Sequence, residues 1–156
     1  MKRVLSTLLL TCAAAFGAAM PGHAEGGMTV TVFKTPWCGC CHIWTQAIEK
    51  AGYTVKIHDM EDLSTIKKQA GVSPDLEACH TAVLDAGRKY VLEGHVPLEA
   101  MEKLASERPD IRGIATPGMP SGSLGMGDDP KARYDVYAFT DDPAKAPVVF
   151  YEAGTQ

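Results

Sequence analysis

The stretch Trp37-Cys38-Gly39-Cys40-Cys41-His42 (WCGCCH) holds three of the chain's five cysteines within four residues. Cys38 and Cys41 form a Cys-x-x-Cys pair, and Cys40 places a third sulfur between them. Thiols spaced in this way serve either disulfide exchange or metal binding. The spacing predicts reactive cysteines and leaves both chemistries open.

Hydrophobic patterning places this stretch between a strand and a helix. Residues 28–34 (MTVTVFK) alternate and are rich in β-branched side chains, which predicts a strand. Residues 41–51 carry apolar side chains at helical spacing, and Gly52 follows as a helix stop. The cysteine pair is therefore expected at the N-terminus of a helix, where unpaired N–H groups and the helix dipole stabilise a thiolate.

Downstream patterning predicts a single mixed α/β domain. The element order β-α-β-α-β-β-α, with a cysteine pair between the first strand and the first helix, is that of the thioredoxin-like fold. We expect a central mixed sheet flanked by helices. The further strands are predicted at 54–58, 81–84 and 89–92, and the further helices at 62–70 and 97–107.

The C-terminal part differs in composition. Residues 113–130 (GIATPGMPSGSLGMGDDP) are rich in Gly, Pro and Ser and show no periodicity, which predicts an irregular loop. Two strand-like runs follow at 134–139 and 148–151, and we expect them to pair as a hairpin. Loop and hairpin together form a predicted extension of the domain.

The first 24 residues predict a secretory signal peptide. Lys2 and Arg3 precede an uncharged apolar run, and residues 22–24 (Gly-His-Ala) supply a small-residue cleavage context. The run is too short to span a bilayer comfortably. We therefore expect a Sec-type signal at 1–24, export to a bacterial periplasm, and one domain over 25–156 with no membrane attachment after cleavage.

Cleavage changes both the charge and the cysteine count. It removes Lys2, Arg3 and Cys12 but no acidic residue, which leaves 132 residues with 13 basic and 19 acidic side chains, a formal charge of −6. An acidic chain without a basic cluster argues against nucleic acid and anionic membranes as partners. The four remaining cysteines are those of WCGCCH and Cys79. Disulfide staples normally join distant segments, so this clustering favours redox or metal chemistry.

Three features favour a metal site over a plain dithiol. In a dithiol enzyme Cys40 would invite wrong disulfides, whereas for a soft metal it is one more ligand. Cys79-His80 directly precedes the third predicted strand, where a thioredoxin carries a proline, so these residues are expected to face the cysteine pair. Met119 and Met126 of the Gly/Pro loop carry thioethers, which are soft ligands favoured by Cu(I).

The cysteine spacing also bears on which metal is expected. A single zinc ion is disfavoured, because three ligands within four residues, two of them adjacent, strain tetrahedral coordination. Adjacent cysteines more naturally bridge different ions, which favours a multinuclear Cu(I)–thiolate cluster. His95 follows the end of a predicted strand and is a further candidate at the same rim.

Four motifs, in this order along the chain, resemble the CopG-type copper-resistance proteins, a family long labelled as a domain of unknown function. The resemblance covers about residues 29–151. It implies a periplasmic thioredoxin-like domain that holds several copper ions in a multinuclear cluster and interconverts Cu(I) and Cu(II). Copper ions, periplasmic copper chaperones and efflux components are the expected partners. The motifs are WCGCC at 37–41, CHTAV at 79–83, EGHVP at 93–97 and PGMPSGSLGM at 117–126.

The resemblance also implies the site residues. The implied metal ligands or rim residues are Cys38, Cys40, Cys41, Cys79, His80, His95, Met119 and Met126. Cys38 and Cys41 are also the candidate catalytic dithiol.

Two alternative functions stay open. One is a thiol–disulfide oxidoreductase of thioredoxin type that acts on protein substrates, and the other is a small module stapled by two disulfides.

Overall fold

The computed structural model describes residues 27–127 and 129–154. The signal peptide expected at 1–24 lies outside the described residues. Within the described part, three α-helices pack with a seven-stranded sheet. None of these helices is long and apolar enough to cross a membrane.

The helices and strands begin and end close to the predicted positions, and one strand was not expected. The helices are α1 (Gly39–Lys50), α2 (Ser64–Ala70) and α3 (Leu98–Glu107), with a short 3-10 turn at Pro74–Leu76. The strands are β1 (Thr29–Lys34), β2 (Thr54–Asp59), β3 (Thr81–Asp85), β4 (Lys89–Gly94), β5 (Gly113–Thr116), β6 (Tyr134–Phe139) and β7 (Val148–Ala153).

One mixed sheet runs through the domain in the order β2-β1-β3-β4-β5-β6-β7. The pairs β1–β2 and β4–β5 are parallel, and the other neighbouring strands are antiparallel. The mixed α/β class expected from the sequence is confirmed.

The two faces of the sheet are covered by different helices. On one face, Trp44 of α1 and Leu104 of α3 share a buried cluster with Leu92 of β4. On the other face, Ala70 at the end of α2 packs in a second cluster with Val91 of β4. Adjacent residues of a strand point to opposite faces, so Val91 and Leu92 place the sheet between two helical layers.

The prediction of an irregular loop over 113–130 is wrong at its beginning. Residues Gly113–Thr116 form β5, which pairs with β4 and with β6. All four residues are buried. A strand buried on both faces does not show the alternation of apolar and polar residues by which a half-exposed strand is predicted. The hairpin itself is confirmed as β6–β7, and β5 makes it a continuation of the main sheet.

Candidate metal centre

The cysteines of WCGCCH lie at the start of α1. The Cys38 N–H donates to the Thr35 carbonyl at 3.1 Å, closing a turn with Pro36 at its second position. Cys38 is the N-cap, and its Sγ accepts a hydrogen bond from the Cys41 N–H at 3.3 Å. A disulfide joins Cys38 and Cys41, whose Cα atoms are 5.3 Å apart. In the reduced form, the helix N-terminus favours the thiolate at this position.

Two free thiols complete a group of four sulfurs. The Sγ of Cys40 lies 3.5 Å from that of Cys38. Cys79, directly before His80 and β3, is the other free thiol among the described residues. The four sulfur atoms all lie within 4.8 Å of one another. The structure therefore brings together the four cysteines that the sequence singles out, although Cys79 is distant from the other three along the chain.

His95 is held with one nitrogen directed at these sulfurs. Its Nε2 lies 2.9 Å from the Sγ of Cys79, and its Nδ1 lies 2.6 Å from the carbonyl oxygen of Leu124. A carbonyl oxygen only accepts, so Nδ1 carries the proton and the Nε2 lone pair faces the sulfur. Metal-binding histidines are commonly oriented by such a hydrogen bond on the far nitrogen.

His80 is fully buried and carries an unsatisfied nitrogen. Its Nδ1 lies 3.6 Å from the Sγ of Cys79, and its ring centroid lies 5.2 Å from that of His95. Its Nε2 is buried and finds no hydrogen-bond partner among the described residues. An unpaired buried polar atom costs about 1–3 kcal/mol, so a ligand that satisfied it would stabilise the protein. One ligand atom from each of Cys41, Cys79, His80 and His95 lies within 4.8 Å of the others.

Burial sets the protonation of this cluster. It lowers the pKa of His80 well below the ordinary value, because a second proton there would be buried and would also be repelled by the neighbouring His95 and by nearby lysines. Burial lowers the pKa of His95 as well. Both rings are therefore neutral at neutral pH, which is the metal-binding form. Burial, with the interaction between the Cys79 and Cys40 sulfurs adding to its effect, raises the pKa of the Cys79 thiol to about 12. A metal that binds Cys79 must displace its proton.

The Gly/Pro loop approaches the cluster at two points. Gly118 forms an isolated bridge with Ala78, the residue before Cys79. Gly125 packs directly on the site: a Cβ there would stand 2.8 Å from the Cys40 carbonyl oxygen and 3.2 Å from the Nδ1 of His95. Its φ of +90° also favours glycine. The loop therefore covers the N-terminus of α1 because it has no side chain at this position.

The two methionines of the loop differ in exposure. Met126 is half-buried and directly follows Gly125, the residue that packs on the site. Met119 directly follows Gly118 and is 55% exposed. Thioether binding by either residue stays a prediction.

Two tryptophans frame the site. Trp37 directly precedes Cys38 and is 68% exposed. Trp44, further along α1, is fully buried, and its ring centroid lies 4.4 Å from that of His80. Its indole N–H donates to the Val96 carbonyl at 2.9 Å, which ties α1 to the segment that follows His95.

A buried ion pair that the sequence did not predict lies behind Cys79. The ammonium of Lys67 in α2 contacts the carboxylate of Glu93 in β4, and both residues are buried. Burial raises the pKa of Glu93, and the charge of Lys67 opposes this effect. The helix α2 (STIKKQA) is short and polar, so its sequence predicts that Lys67 faces solvent. Only the packing of α2 on the sheet shows that Lys67 is buried against Glu93.

Comparisons with known proteins found one family model and two solved structures that match this chain. A family model described as "Protein of unknown function, DUF411" matches residues 76–126. Two solved structures, described as copper resistance protein copG in forms 1 and 2, are similar over most of the chain. Form 1 is 36% identical, with 80% of this chain and 95% of that chain covered and a TM-score of 0.70. The chain belongs to the CopG family. Form 2 is 35% identical, with 81% and 98% covered and a TM-score of 0.71. No curated protein matches the chain.

The family model for this CopG-family chain covers only part of the cluster. It runs from Leu76 to Met126 and so includes Cys79, His80 and His95 but leaves out WCGCCH. The fold brings the three cysteines at the start of α1 to the residues that the family model covers.

Proposed function

We propose that this CopG-family chain is a copper-binding protein of copper resistance that holds several copper ions in a multinuclear copper–thiolate cluster. The observation that carries the proposal is the convergence of four cysteine sulfurs, all within 4.8 Å of one another. His80 and His95 lie beside them. Two relatives described as copper resistance proteins support the choice of copper.

The donor set fits the ion. Thiolate sulfur is a soft ligand that suits Cu(I), and neutral imidazole suits copper in general. We propose Cys38, Cys40, Cys41 and Cys79 as the thiolate ligands. The further proposed ligands or rim residues are His80, His95, Met119 and Met126.

A redox role is part of the proposal. When Cys38 and Cys41 form their disulfide, the two thiolates give up two electrons, which is the number that two Cu(II) ions need to become Cu(I). The reverse step opens the disulfide and takes two electrons from two Cu(I) ions. Cys38 and Cys41 are thus the candidate catalytic dithiol, and interconversion of Cu(I) and Cu(II) is the proposed reaction.

The setting of the protein is proposed on the same grounds. The parallel β1–β2 pair and antiparallel β3 and β4, with the cysteine pair at the start of α1, support a thioredoxin-like domain. The N-terminal sequence pattern supports export to the periplasm. Copper chaperones or efflux components there are the proposed exchange partners.

Anaerobic titration of the fully reduced protein with Cu(I) tests the proposal. We expect several ions per chain, and fewer in Cys79→Ser, because the hydroxyl is a poor soft ligand. X-ray absorption on the loaded protein should report a copper–sulfur shell and a copper–copper distance. If the reduced wild-type protein binds no Cu(I), the proposal is wrong. A Cys79→Ser stoichiometry equal to that of wild type would remove Cys79 from the ligand set.

The Cys38–Cys41 disulfide at a helix N-terminus also supports a second candidate, a thiol–disulfide oxidoreductase acting on protein substrates. This function predicts reduction of insulin disulfides that requires Cys38 and Cys41. It also predicts that replacement of Met119 and Met126 by leucine leaves that activity unchanged. Absence of insulin reduction by the wild-type protein would exclude it.

A further inference from the structure

The segment that carries Cys79 and His80 is held at both ends by one buried ion pair. Before Cys79, the Glu93 carboxylate accepts the Ala78 N–H at 2.7 Å, and the Lys67 ammonium donates to the Ala78 carbonyl at 2.8 Å. After His80, the Thr81 hydroxyl donates to the other Glu93 oxygen at 2.6 Å. Both main-chain polar groups of Ala78 are therefore bound by charged side chains.

The same pair connects this segment to the second histidine. Glu93 stands two residues before His95 in the chain, and the Gly94 N–H between them donates to the His80 carbonyl at 2.9 Å. A side chain at Gly94 would overlap the Thr116 carbonyl and the Ala78 side chain. The end of β4 and the start of β3 are thus locked together next to the sulfurs.

Stability alone does not explain why the chain keeps this pair. Desolvation of two buried charges roughly cancels their attraction, so apolar residues of similar size are often as stabilising as a buried ion pair. What apolar residues do not supply is a donor and an acceptor for the Ala78 main chain. The two buried charges are therefore better explained by the position in which they hold the main chain of Ala78.

We propose that Lys67 and Glu93 are positioning residues that hold the Cys79 thiol within bridging distance of the Cys40 thiol, acting through the main chain of Ala78. The inference rests on the proposed function only for its copper readout. Its geometric readout needs no metal, so a failure of the positioning inference can be distinguished from a failure of the proposed copper function.

The geometric test uses metal-free protein with the Cys38–Cys41 disulfide intact. Phenylarsine oxide, a trivalent arsenical that bridges two neighbouring thiols with loss of water, should bind once per wild-type chain, across Cys40 and Cys79. In the double variant Lys67→Met/Glu93→Leu, which leaves no lone buried charge, we expect its affinity to fall about tenfold or more, as for outer-sphere partners of metal ligands. The Cu(I) affinity of the reduced protein should fall in parallel.

Two control variants test whether a loss of arsenical affinity comes from the contacts to Ala78 or from a general loosening of the packing around α2. Arg112→Met removes another cation that binds α2, because Arg112 donates to the carbonyls of Ala70 and Gln69 and does not touch Ala78. Thr81→Val removes the contact that Glu93 makes after His80 but leaves the two contacts to Ala78. Arg112→Met should bind the arsenical like wild type, and Thr81→Val should lose clearly less affinity than the double variant. Equal losses in Arg112→Met and the double variant would overturn the inference, and so would a double variant that binds like wild type.

A measurement on the wild-type protein covers the case in which the double variant does not fold. The Ala78 amide hydrogen should exchange about a hundredfold more slowly than an open amide, because Glu93 accepts it in a buried site. Exchange at the rate of an exposed amide would overturn the inference. If the wild type bridges the arsenical but binds no Cu(I), the proposed function fails and the positioning role stands.

Discussion

At the scale of single residues, Cys79 is where the two halves of the site meet. It lies before β3, whereas the other three cysteines lie at the start of α1. Its Sγ faces the Nε2 of His95 at 2.9 Å. Its environment keeps the sulfur protonated until something displaces the proton, because burial and the neighbouring Cys40 sulfur both disfavour the thiolate. Copper binding at Cys79 should therefore release a proton and tighten as the pH rises.

The raised pKa of Cys79 predicts slow alkylation of the metal-free, disulfide-bonded protein. Only the thiolate reacts with iodoacetamide, and a pKa near 12 leaves Cys79 almost entirely protonated at pH 8. The rate at Cys79 should rise about tenfold per pH unit up to strongly alkaline pH, as thiolate forms. Mass spectrometry of pulse-labelled peptides measures it. A rate at Cys79 that levels off near pH 9 would contradict the raised pKa, and urea-unfolded protein supplies the reference for an ordinary thiol.

At the scale of elements, the site depends on a loop that packs on a helix N-terminus. The loop reaches α1 at Gly125, beside the Cys40 carbonyl and the ring of His95. The adjacent Leu124 carbonyl fixes the tautomer of His95. A loop without regular structure thereby sets which histidine nitrogen faces the sulfurs.

Gly125→Ala should displace this loop, and Gly127→Ala is its matched control. The two glycines have φ values of +90° and +92°, so an alanine at either position suffers similar backbone strain. Only at position 125 would the new Cβ meet other atoms, since nothing lies within 4 Å at position 127. We expect the free energy of unfolding in urea to fall by about 1–3 kcal/mol more for Gly125→Ala, the usual cost of overpacking. Equal losses in the two variants would show that the close contact is unimportant.

Most elements could be predicted from the sequence, because their patterns are local. The strand over 29–34 alternates between half-buried and buried residues, as a strand with one face in the core should. β5 could not be predicted, because it has four residues, is buried throughout and begins a Gly/Pro-rich stretch. Its parallel pairing with β4 is a long-range contact that no local pattern encodes.

The candidate site divides in the same way. The cysteines and His80 could be singled out by residue type and spacing, since soft ligands cluster rarely by chance. Lys67 and Glu93 could not, because each looks like an ordinary surface charge in its own segment. Their burial exists only once α2 packs across the sheet and brings Lys67 to the end of β4.

At the scale of the whole molecule, the oxidation state of the protein sets how many sulfurs are free. With the Cys38–Cys41 disulfide closed, two free thiols remain among the described residues, Cys40 and Cys79. With it open, all four sulfurs are free thiols within 4.8 Å of one another. Under the proposed function, the amount of metal that the protein binds should therefore depend on the redox state of Cys38 and Cys41.

This coupling predicts a lower copper capacity for the oxidised protein. Anaerobic Cu(I) titration of the disulfide form should give a smaller stoichiometry than that of the dithiol form, because two of the four sulfurs are unavailable. Reduction of the same sample should restore the larger value. Equal stoichiometries for the two forms would show that Cys38 and Cys41 are not ligands. Cys38→Ser/Cys41→Ser, which lacks the disulfide in any redox state, should stay at the lower value throughout.

The placement of the two tryptophans has an optical consequence. Trp37 is largely in solvent next to Cys38, whereas Trp44 is buried against His80, so the emission of the two indoles should differ in wavelength. The chain has no other tryptophan. A change at the disulfide should alter the quenching of the solvent-exposed indole, and a change at the histidines that of the buried one. The protein therefore carries two tryptophans in different environments near its sulfur cluster, and ligand exchange can be followed without a label.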